Sequence, residues 1–311
     1  MSNLRKGFPV LERYTYLNTA ASGLLHEKVL EFRQEHDLDF LISGSVLKEN
    51  QGRLLAKVRE EVGESFNCEP NRVGLVPNFS YGFNTLLEGI EKPKKVLLLK
   101  NDYPSINWPV ESRDFEICYA EINEFLEENI VEVLKKEQPQ FFAFSIVQYI
   151  NGIKLSTAFL TQLKKDFPEV IFIADGTQYF GTERFHFSES AFDIVGASSY
   201  KWMLGGYGNG FFLLKDGLDK KLFPNTIGFN SADAVFGNRD KINIIGKIIF
   251  IISASCFKFL VQHFFFLEIT KVIKFIFFKV KFFSCLYMEL IAGVDEAGRG
   301  CLAGPVVAAA V

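Results

Sequence analysis

The sequence has 311 residues, of which 48% are hydrophobic and 23% are charged, and its net charge is −3. This length suits one large or two ordinary domains, and the composition excludes a disordered tail. The small negative charge excludes the broad basic surface of a general nucleic-acid-binding protein. The five cysteines are scattered without a CxxC pair, and the N-terminus lacks an apolar signal segment. Both features predict a cytoplasmic protein with reduced thiols.

Helix and strand patterns alternate along the first 240 residues. Residues 47–66 carry Leu and Val at helical spacing and are expected to form an amphipathic helix. Further helices are expected over 83–90, 124–137 and 157–166. Short apolar runs of strand length are found at Val73–Val76, Val96–Leu99, Phe141–Val147, Val170–Ala174 and Phe211–Leu214. The alternation predicts an α/β fold with a mainly parallel central sheet covered on both faces.

Ligands of such sheets bind beyond the carboxyl ends of the strands, so the loops that follow the strands are candidate sites. Ser80 lies in one such loop, where free backbone N–H groups ahead of a helix would attract a phosphate. A serine that only caps the helix is the commoner explanation of this position alone. Tyr103 follows another strand, and its ring could stack on a planar ligand or belong to an ordinary turn.

Two charged residues occupy comparable positions. Asp175 directly follows an apolar strand, where an ionised carboxylate is costly unless a cation pairs with it. This position suits a catalytic carboxylate and a helix N-cap about equally. Lys201 lies among hydroxyl and aromatic residues ahead of a glycine-rich turn at 205–210. It could be a desolvated amine nucleophile, although a single lysine is more often a solvated surface charge.

Taken together, these loops resemble the class V group of pyridoxal-phosphate enzymes, which includes cysteine desulfurases, selenocysteine lyases and several aminotransferases. The resemblance is carried by Asp-Gly-Thr-Gln at 175–178, Ser-Ser-Tyr-Lys at 198–201 and Tyr-Leu-Asn-Thr-Ala-Ala-Ser-Gly at 16–23. It extends from about residue 14 to about residue 230. It implies the large domain of a fold type I pyridoxal-phosphate-dependent transferase. It also implies a transferase or lyase that acts on an amino acid and works as a homodimer.

The resemblance further implies a role for each candidate residue. Lys201 would bond covalently to pyridoxal phosphate. Asp175 would pair with the pyridinium nitrogen and keep the ring protonated as an electron sink. Gln178 would hydrogen-bond the ring oxygen, and Tyr103 would stack on the ring face. The phosphate would be held by Ser80, Ser198 and Tyr200, and the substrate would lie near Asn18 and Ala20.

The family-like sequence fades after 228–231, and the small C-terminal domain that such enzymes carry is expected to be missing. Residues 241–287 consist mostly of Ile, Phe and Lys. A membrane anchor over 242–282 is one interpretation, but Lys247 and Lys258 interrupt it, and a central lysine costs about 2.5–3.5 kcal/mol on insertion. A core helix is a second interpretation, without a clear 3.6-residue period. We favour a third, translated non-coding sequence, because AT-rich DNA encodes this composition.

Residues 288–311 resemble the start of a type II ribonuclease H, with its own Met288. In that family Asp295 and Glu296 would bind Mg²⁺ or Mn²⁺ through hard carboxylate oxygens. The other carboxylates of a two-metal site are not found in this stretch. A ribonuclease HII-type endonuclease for RNA–DNA hybrids is therefore the alternative function. The sequence thus predicts an incomplete pyridoxal-phosphate-binding domain over 1–240, followed by two unrelated segments in a hybrid reading frame.

Overall fold

A computed structural model of the chain describes residues 4–218 and residue 222. The segments predicted over 241–287 and 288–311 lie outside the described residues. Asp295 and Glu296 lie outside them as well. The expected absence of a small C-terminal domain concerns the same part of the chain and stays a prediction.

Seven strands form a single sheet. They are β1 (Val73–Val76), β2 (Lys95–Leu99), β3 (Glu116–Ala120), β4 (Phe141–Ser145), β5 (Ile171–Asp175), β6 (Ile194–Ser198) and β7 (Gly210–Leu214). Their order across the sheet is β1-β7-β6-β5-β4-β2-β3. The pairs from β3 to β6 are parallel, and β7 runs antiparallel to both of its neighbours. The predicted α/β fold with a mainly parallel sheet is confirmed.

Eight α-helices accompany the sheet in the described part of the chain. They are α1 (Val10–Arg13), α2 (Glu27–Ser43), α3 (Ser45–Glu49), α4 (Gln51–Phe66), α5 (Phe79–Glu88), α6 (Pro104–Glu111), α7 (Leu126–Glu137) and α8 (Thr157–Asp166). Two caps explain where α5 and α8 begin. The Asn78 side chain accepts a hydrogen bond from the N–H of Tyr81, and Ser156 accepts one from Phe159. The helix predicted over 47–66 is two helices, because α3 and α4 are interrupted at Asn50.

The core consists of two apolar clusters separated by the sheet. Phe142 and Phe144 of β4 belong to one cluster, whereas their neighbour Phe141 belongs to the other. Successive side chains of a strand point to opposite faces, so both faces of β4 are buried. This double burial explains the continuous apolar runs that predicted the inner strands.

Two strands were missed by the sequence analysis. The edge strand β3 has the sequence Glu-Ile-Cys-Tyr-Ala and exposes Glu116 and Tyr119, so it lacks an apolar run. The inner strand β6 is Ile-Val-Gly-Ala-Ser, whose small residues weaken the signal. Gly196 is required there because a Cβ atom would lie 2.4 Å from the Phe212 ring. Within the described ranges, no helix has the length and hydropathy to cross a bilayer.

Candidate functional site

Three candidate side chains come from the ends of neighbouring parallel strands. Asp175 is the last residue of β5, Tyr103 follows β2, and Lys201 follows β6. Strand β4 lies between β2 and β5 and ends at Ser145, which pairs in register with Asp175. Because the carboxyl ends of parallel strands meet at one edge of the sheet, the fold brings these residues to one place.

Lys201 is a buried amine. Its side chain is 2% exposed, and Nζ lies 5.6 Å from the centroid of the Tyr103 ring and 5.7 Å from that of Tyr200. Aromatic faces attract a cation at this range. The alternative interpretation of Lys201 as a solvated surface charge is therefore wrong.

Asp175 is a buried carboxylate in the electrostatic field of Lys201. Oδ1 accepts a hydrogen bond of 2.8 Å from the N–H of Thr177. Burial raises the pKa of Asp175 to about 6, hydrogen bonds from Thr177 oppose this rise, the charge of Asp102 adds to it, and Lys201 lowers it. A turn rather than a helix follows Asp175, so the N-cap interpretation is wrong.

Ser80 lies in the first turn of α5, and Ser198, the last residue of β6, contacts the start of this helix. Ser198 Oγ accepts a hydrogen bond of 2.9 Å from the Phe79 N–H, and Ser80 Oγ donates one of 2.7 Å to Ser105 Oγ. The capping interpretation of Ser80 is wrong, because Asn78 caps this helix. Two hydroxyl groups and the positive end of the α5 dipole therefore meet here, an arrangement suited to an anion.

Tyr200 and the N-terminal segment pack around the backbone of Lys201. The Tyr200 ring stacks on Tyr207, with centroids 5.3 Å apart, and its carbonyl accepts a hydrogen bond of 2.7 Å from the Gly23 N–H. A Cβ atom at Gly23 would lie 1.9 Å from the Lys201 carbonyl oxygen. Glycine is therefore required for this close approach.

Gln178 links the predicted substrate segment to the lysine loop. Its Nε2 donates a hydrogen bond of 3.0 Å to the Ala20 carbonyl, and its Oε1 accepts one of 2.8 Å from the Trp202 indole. Ala20 is buried at this junction. Asn18 lies in an exposed turn, and its carbonyl accepts hydrogen bonds from Ala21 and Ser22. The structure thus brings Ala20, but not the Asn18 side chain, into the cluster.

A second buried carboxylate, Asp102, was not among the sequence-predicted residues. Oδ1 accepts a hydrogen bond of 2.6 Å from the Tyr103 N–H, and Oδ2 accepts one of 2.8 Å from the Ser145 N–H. The signal that singled out Asp175, a carboxylate after an apolar strand, also applies to Asp102. The roles of Ser145, Ser105 and Trp202 had no comparable signal, because each depends on contacts between distant elements.

No group of three or more His, Cys, Asp or Glu side chains that could hold a metal ion occurs in the described part of the chain. The predicted metal ligands Asp295 and Glu296 lie outside it and stay a prediction.

A family model decides the classification. The model for aminotransferase class V matches residues 15–243, about three quarters of the chain. The chain belongs to the class V aminotransferase family. The resemblance inferred from the sequence is confirmed, and pyridoxal phosphate is supported as the cofactor.

Solved structures share the fold of this class V chain. A mutant of C-DES with glycine covalently linked to its pyridoxal-phosphate cofactor has a TM-score of 0.78 at 18% identity, covering 89% of this chain and 77% of its own. C-DES, a cystine C–S lyase, in complex with its product cysteine persulfide has a TM-score of 0.74 at 19% identity, with coverages of 85% and 74%. The apo cysteine desulfurase of Thermococcus onnurineus has a TM-score of 0.71 at 16% identity, with coverages of 91% and 76%.

Short matches to ribonuclease HII also occur. The protein of Methylibium petroleiphilum is 85% identical over 26 residues, which are 8% of this chain and 13% of that protein. The protein of Thermotoga petrophila is 91% identical over 22 residues, which are 7% of this chain and 9% of that protein. The chain thus spans about a tenth of the length of these curated relatives. The class V assignment, which covers far more of the chain, is favoured over the ribonuclease alternative.

Proposed function

We propose that this chain binds pyridoxal phosphate through Lys201 and acts on an amino acid as a transferase or lyase. The observation that carries the proposal is the burial of the Lys201 amine at the strand edge where the buried carboxylate of Asp175 lies. A buried amine nucleophile and a buried carboxylate at the same edge of the sheet are the two groups that this cofactor needs at its opposite ends.

The remaining side chains fit the cofactor by their chemistry. Tyr103 offers an aromatic face near Lys201 Nζ, and Gln178 offers an amide for the ring oxygen. The phosphate would be held by Ser80, Ser198 and Tyr200, with the N-terminus of α5 supplying backbone N–H groups. The substrate would lie near Ala20, whose carbonyl is held by Gln178. The resemblance also implies Asn18 near the substrate, although its side chain lies outside the cluster.

Bound pyridoxal phosphate would supply an electron sink for a substrate carbanion. The chain's own residues would bind the cofactor and transfer the protons. Asp175 would hold a proton on the ring nitrogen, and the positive ring would keep this carboxylate ionised despite its burial. The Lys201 amine would also move a proton to or from the substrate Cα. Tyr103 would cover one face of the site and exclude water.

We also propose that the protein is a cytoplasmic homodimer. Large apolar side chains are exposed near the end of α2, namely Leu38, Phe40, Leu41 and Ile42. Exposed apolar groups of this size mark interaction surfaces. Cys68 and Cys118 are free thiols, as expected of a reducing compartment. Sedimentation at micromolar concentration tests the dimer, and a monomer at all concentrations would contradict it.

We infer that the domain over 1–240 and the segments 241–287 and 288–311 have separate origins in a gene fusion or frameshift. Support comes from the family match, which ends at residue 243, and from the short ribonuclease HII matches. Resequencing the locus near codon 235 tests this. A continuous frame shared by close relatives would contradict it.

Absorbance of the purified full chain tests the main proposal. Pyridoxal phosphate added to the wild type should give a visible band, and hydroxylamine should remove it. Lys201→Ala should abolish the band, whereas Lys215→Ala should retain it, because Lys215 follows the antiparallel strand β7 at the opposite edge of the sheet. The same band in purified Lys201→Ala protein would refute the assignment.

A further inference from the structure

The buried carboxylate of Asp102 forms hydrogen bonds to two segments of the site. The side chain is 3% exposed. One of its oxygens faces the Tyr103 N–H at 2.6 Å, and the other faces the Ser145 N–H at 2.8 Å. The side chains of Ser145 and Gln148 add further hydrogen-bonding contacts. Each contact is a donor directed at an oxygen.

This environment calls for a carboxylate rather than an amide. A carboxylate accepts hydrogen bonds on both oxygens, whereas Asn would turn an NH₂ group towards one of the two backbone N–H donors. Within residues 4–218 and 222, no basic group forms an ion pair with Asp102. Burying such a charge is costly, and hydrogen bonds from the backbone offset the cost. The function of the buried Asp102 charge is therefore to bind the N–H groups of Tyr103 and Ser145.

The two backbone groups held by Asp102 both belong to the site. Tyr103 is the N-cap residue of α6, and its carbonyl accepts a hydrogen bond of 2.8 Å from Ile106. With its N–H bound to Asp102, the Tyr103 backbone is held on both sides. Its ring also contacts the Tyr149 ring edge-on, with centroids 5.1 Å apart. Ser145 pairs in register with Asp175 across β4 and β5.

We propose that Asp102 is a positioning residue of the cofactor site, which holds the Tyr103 ring over Lys201 by binding the N–H groups of Tyr103 and Ser145 with one carboxylate. The inference rests on the proposed function, because it concerns how firmly the site binds pyridoxal phosphate. Asp102 itself does not contact the Lys201 amine. Its effect passes through Tyr103.

Electrostatics agrees with this placement. Burial raises the pKa of Asp102, and the hydrogen bonds from Ser145, Tyr103 and Gln148 oppose the rise. The charge of Asp102 in turn raises the pKa of Asp175. The geometry agrees, because Asp102 binds the N–H of Ser145, the residue that pairs in register with Asp175.

A double-mutant cycle on the full chain tests the proposal. The dissociation constant of pyridoxal phosphate is measured by absorbance for the wild type, Asp102→Asn, Tyr103→Ala and the double variant. Asp102→Asn should weaken binding at least tenfold when Tyr103 is present and less than twofold when Tyr103 is Ala. Coupling of this kind is expected only if Asp102 acts through Tyr103. An equal loss in both backgrounds would overturn the proposal.

Asp193→Asn is the control, and Asp193 differs from Asp102 by its ion pair of 2.7 Å with Lys164. Asp193 also accepts a backbone hydrogen bond from a neighbouring strand, 2.8 Å from the Phe172 N–H, at the opposite edge of the sheet. Its substitution should lower the free energy of unfolding and leave cofactor affinity unchanged. If Asp102→Asn does not fold, Asp102→Glu keeps the charge but displaces both oxygens, and should show the same dependence on Tyr103. An Asp102→Glu loss that is equal with and without Tyr103 would overturn the proposal.

Failure of the proposed function gives a different result. A wild-type chain with no Lys201-dependent absorbance would overturn both the cofactor proposal and this inference. A wild type that binds the cofactor, with additive losses in the cycle, would overturn the role of Asp102 alone.

Discussion

Lys201 Nζ lies 5.6 Å from the centroid of the Tyr103 ring. The two residues follow β6 and β2, which are separated in the sheet by β5 and β4. Their proximity therefore depends on the correct register of four parallel strands. The site is formed by loops from several strands at one edge of the sheet. Substitutions that displace these loops should weaken cofactor binding as much as the loss of a residue that contacts the cofactor.

Asp175 should make the stability of the apoprotein depend on pH. Its folded-state pKa is about 6, above the ordinary value of 3.8, so the folded state binds the proton more tightly than the unfolded state. Stability should therefore fall as pH rises from about 4 to about 6, and this one group should remove roughly 3 kcal/mol. Urea unfolding from pH 4 to pH 7 measures the effect.

Asp175→Asn is the comparison, since the amide does not titrate. The variant should gain stability relative to the wild type as pH rises through this window. A difference between the two proteins that stays constant from pH 4 to pH 7 would show that the Asp175 carboxyl is not perturbed.

Gly23→Ala should damage the site through the backbone of Lys201. The new methyl group would lie 1.9 Å from the Lys201 carbonyl oxygen, so one of the two segments must move. Overpacking of this kind costs about 1–3 kcal/mol. Chemical denaturation should show that loss, together with weaker binding of pyridoxal phosphate.

The matched control is Gly52→Ala in α4. No atom lies within 4 Å of a Cβ at Gly52, and alanine favours a helix by up to about 1 kcal/mol over glycine. This variant should be as stable as the wild type or more so. Equal destabilisation by the two substitutions would argue against the close contact at Gly23.

The two tryptophans should respond differently to the cofactor. Trp202 is next to Lys201 and donates a hydrogen bond to Gln178, whereas Trp108 is 66% exposed on α6. Pyridoxal phosphate should therefore quench the fluorescence of Trp108→Phe strongly and that of Trp202→Phe weakly. Loss of the indole hydrogen bond should also weaken binding about two- to tenfold in Trp202→Phe. Similar quenching in both variants would place the ligand elsewhere.

Much of the fold could be predicted from the sequence because burial leaves a simple pattern. Inner strands such as β4 and β5 are apolar on both faces, and their runs stand out. The strand β3 could not be found in this way, because it lies at the edge of the sheet and is partly exposed on both faces, at Glu116 and Tyr119. Short elements with small residues, such as β6, likewise depend on the neighbouring strands for their definition.

Some residues of the candidate site could be predicted from the sequence and others could not, and the difference has a physical reason. Asp175 and Lys201 belong to local motifs, so their neighbours along the chain reveal them. Asp102 also follows an apolar strand, but one of its two backbone hydrogen bonds comes from the Ser145 N–H on another strand, and no local pattern shows that contact. Ser80 was identified, but its hydrogen bond to Ser105 depends on the packing of α5 against α6.

The most direct test is to locate the lysine that bonds to the cofactor. Full-length protein is incubated with pyridoxal phosphate and reduced with borohydride, which makes the link permanent, and its peptides are mapped by mass spectrometry. We expect the added mass on Lys201, with little on exposed lysines such as Lys100. Label that is spread over surface lysines, with Lys201 unmodified, would contradict the account.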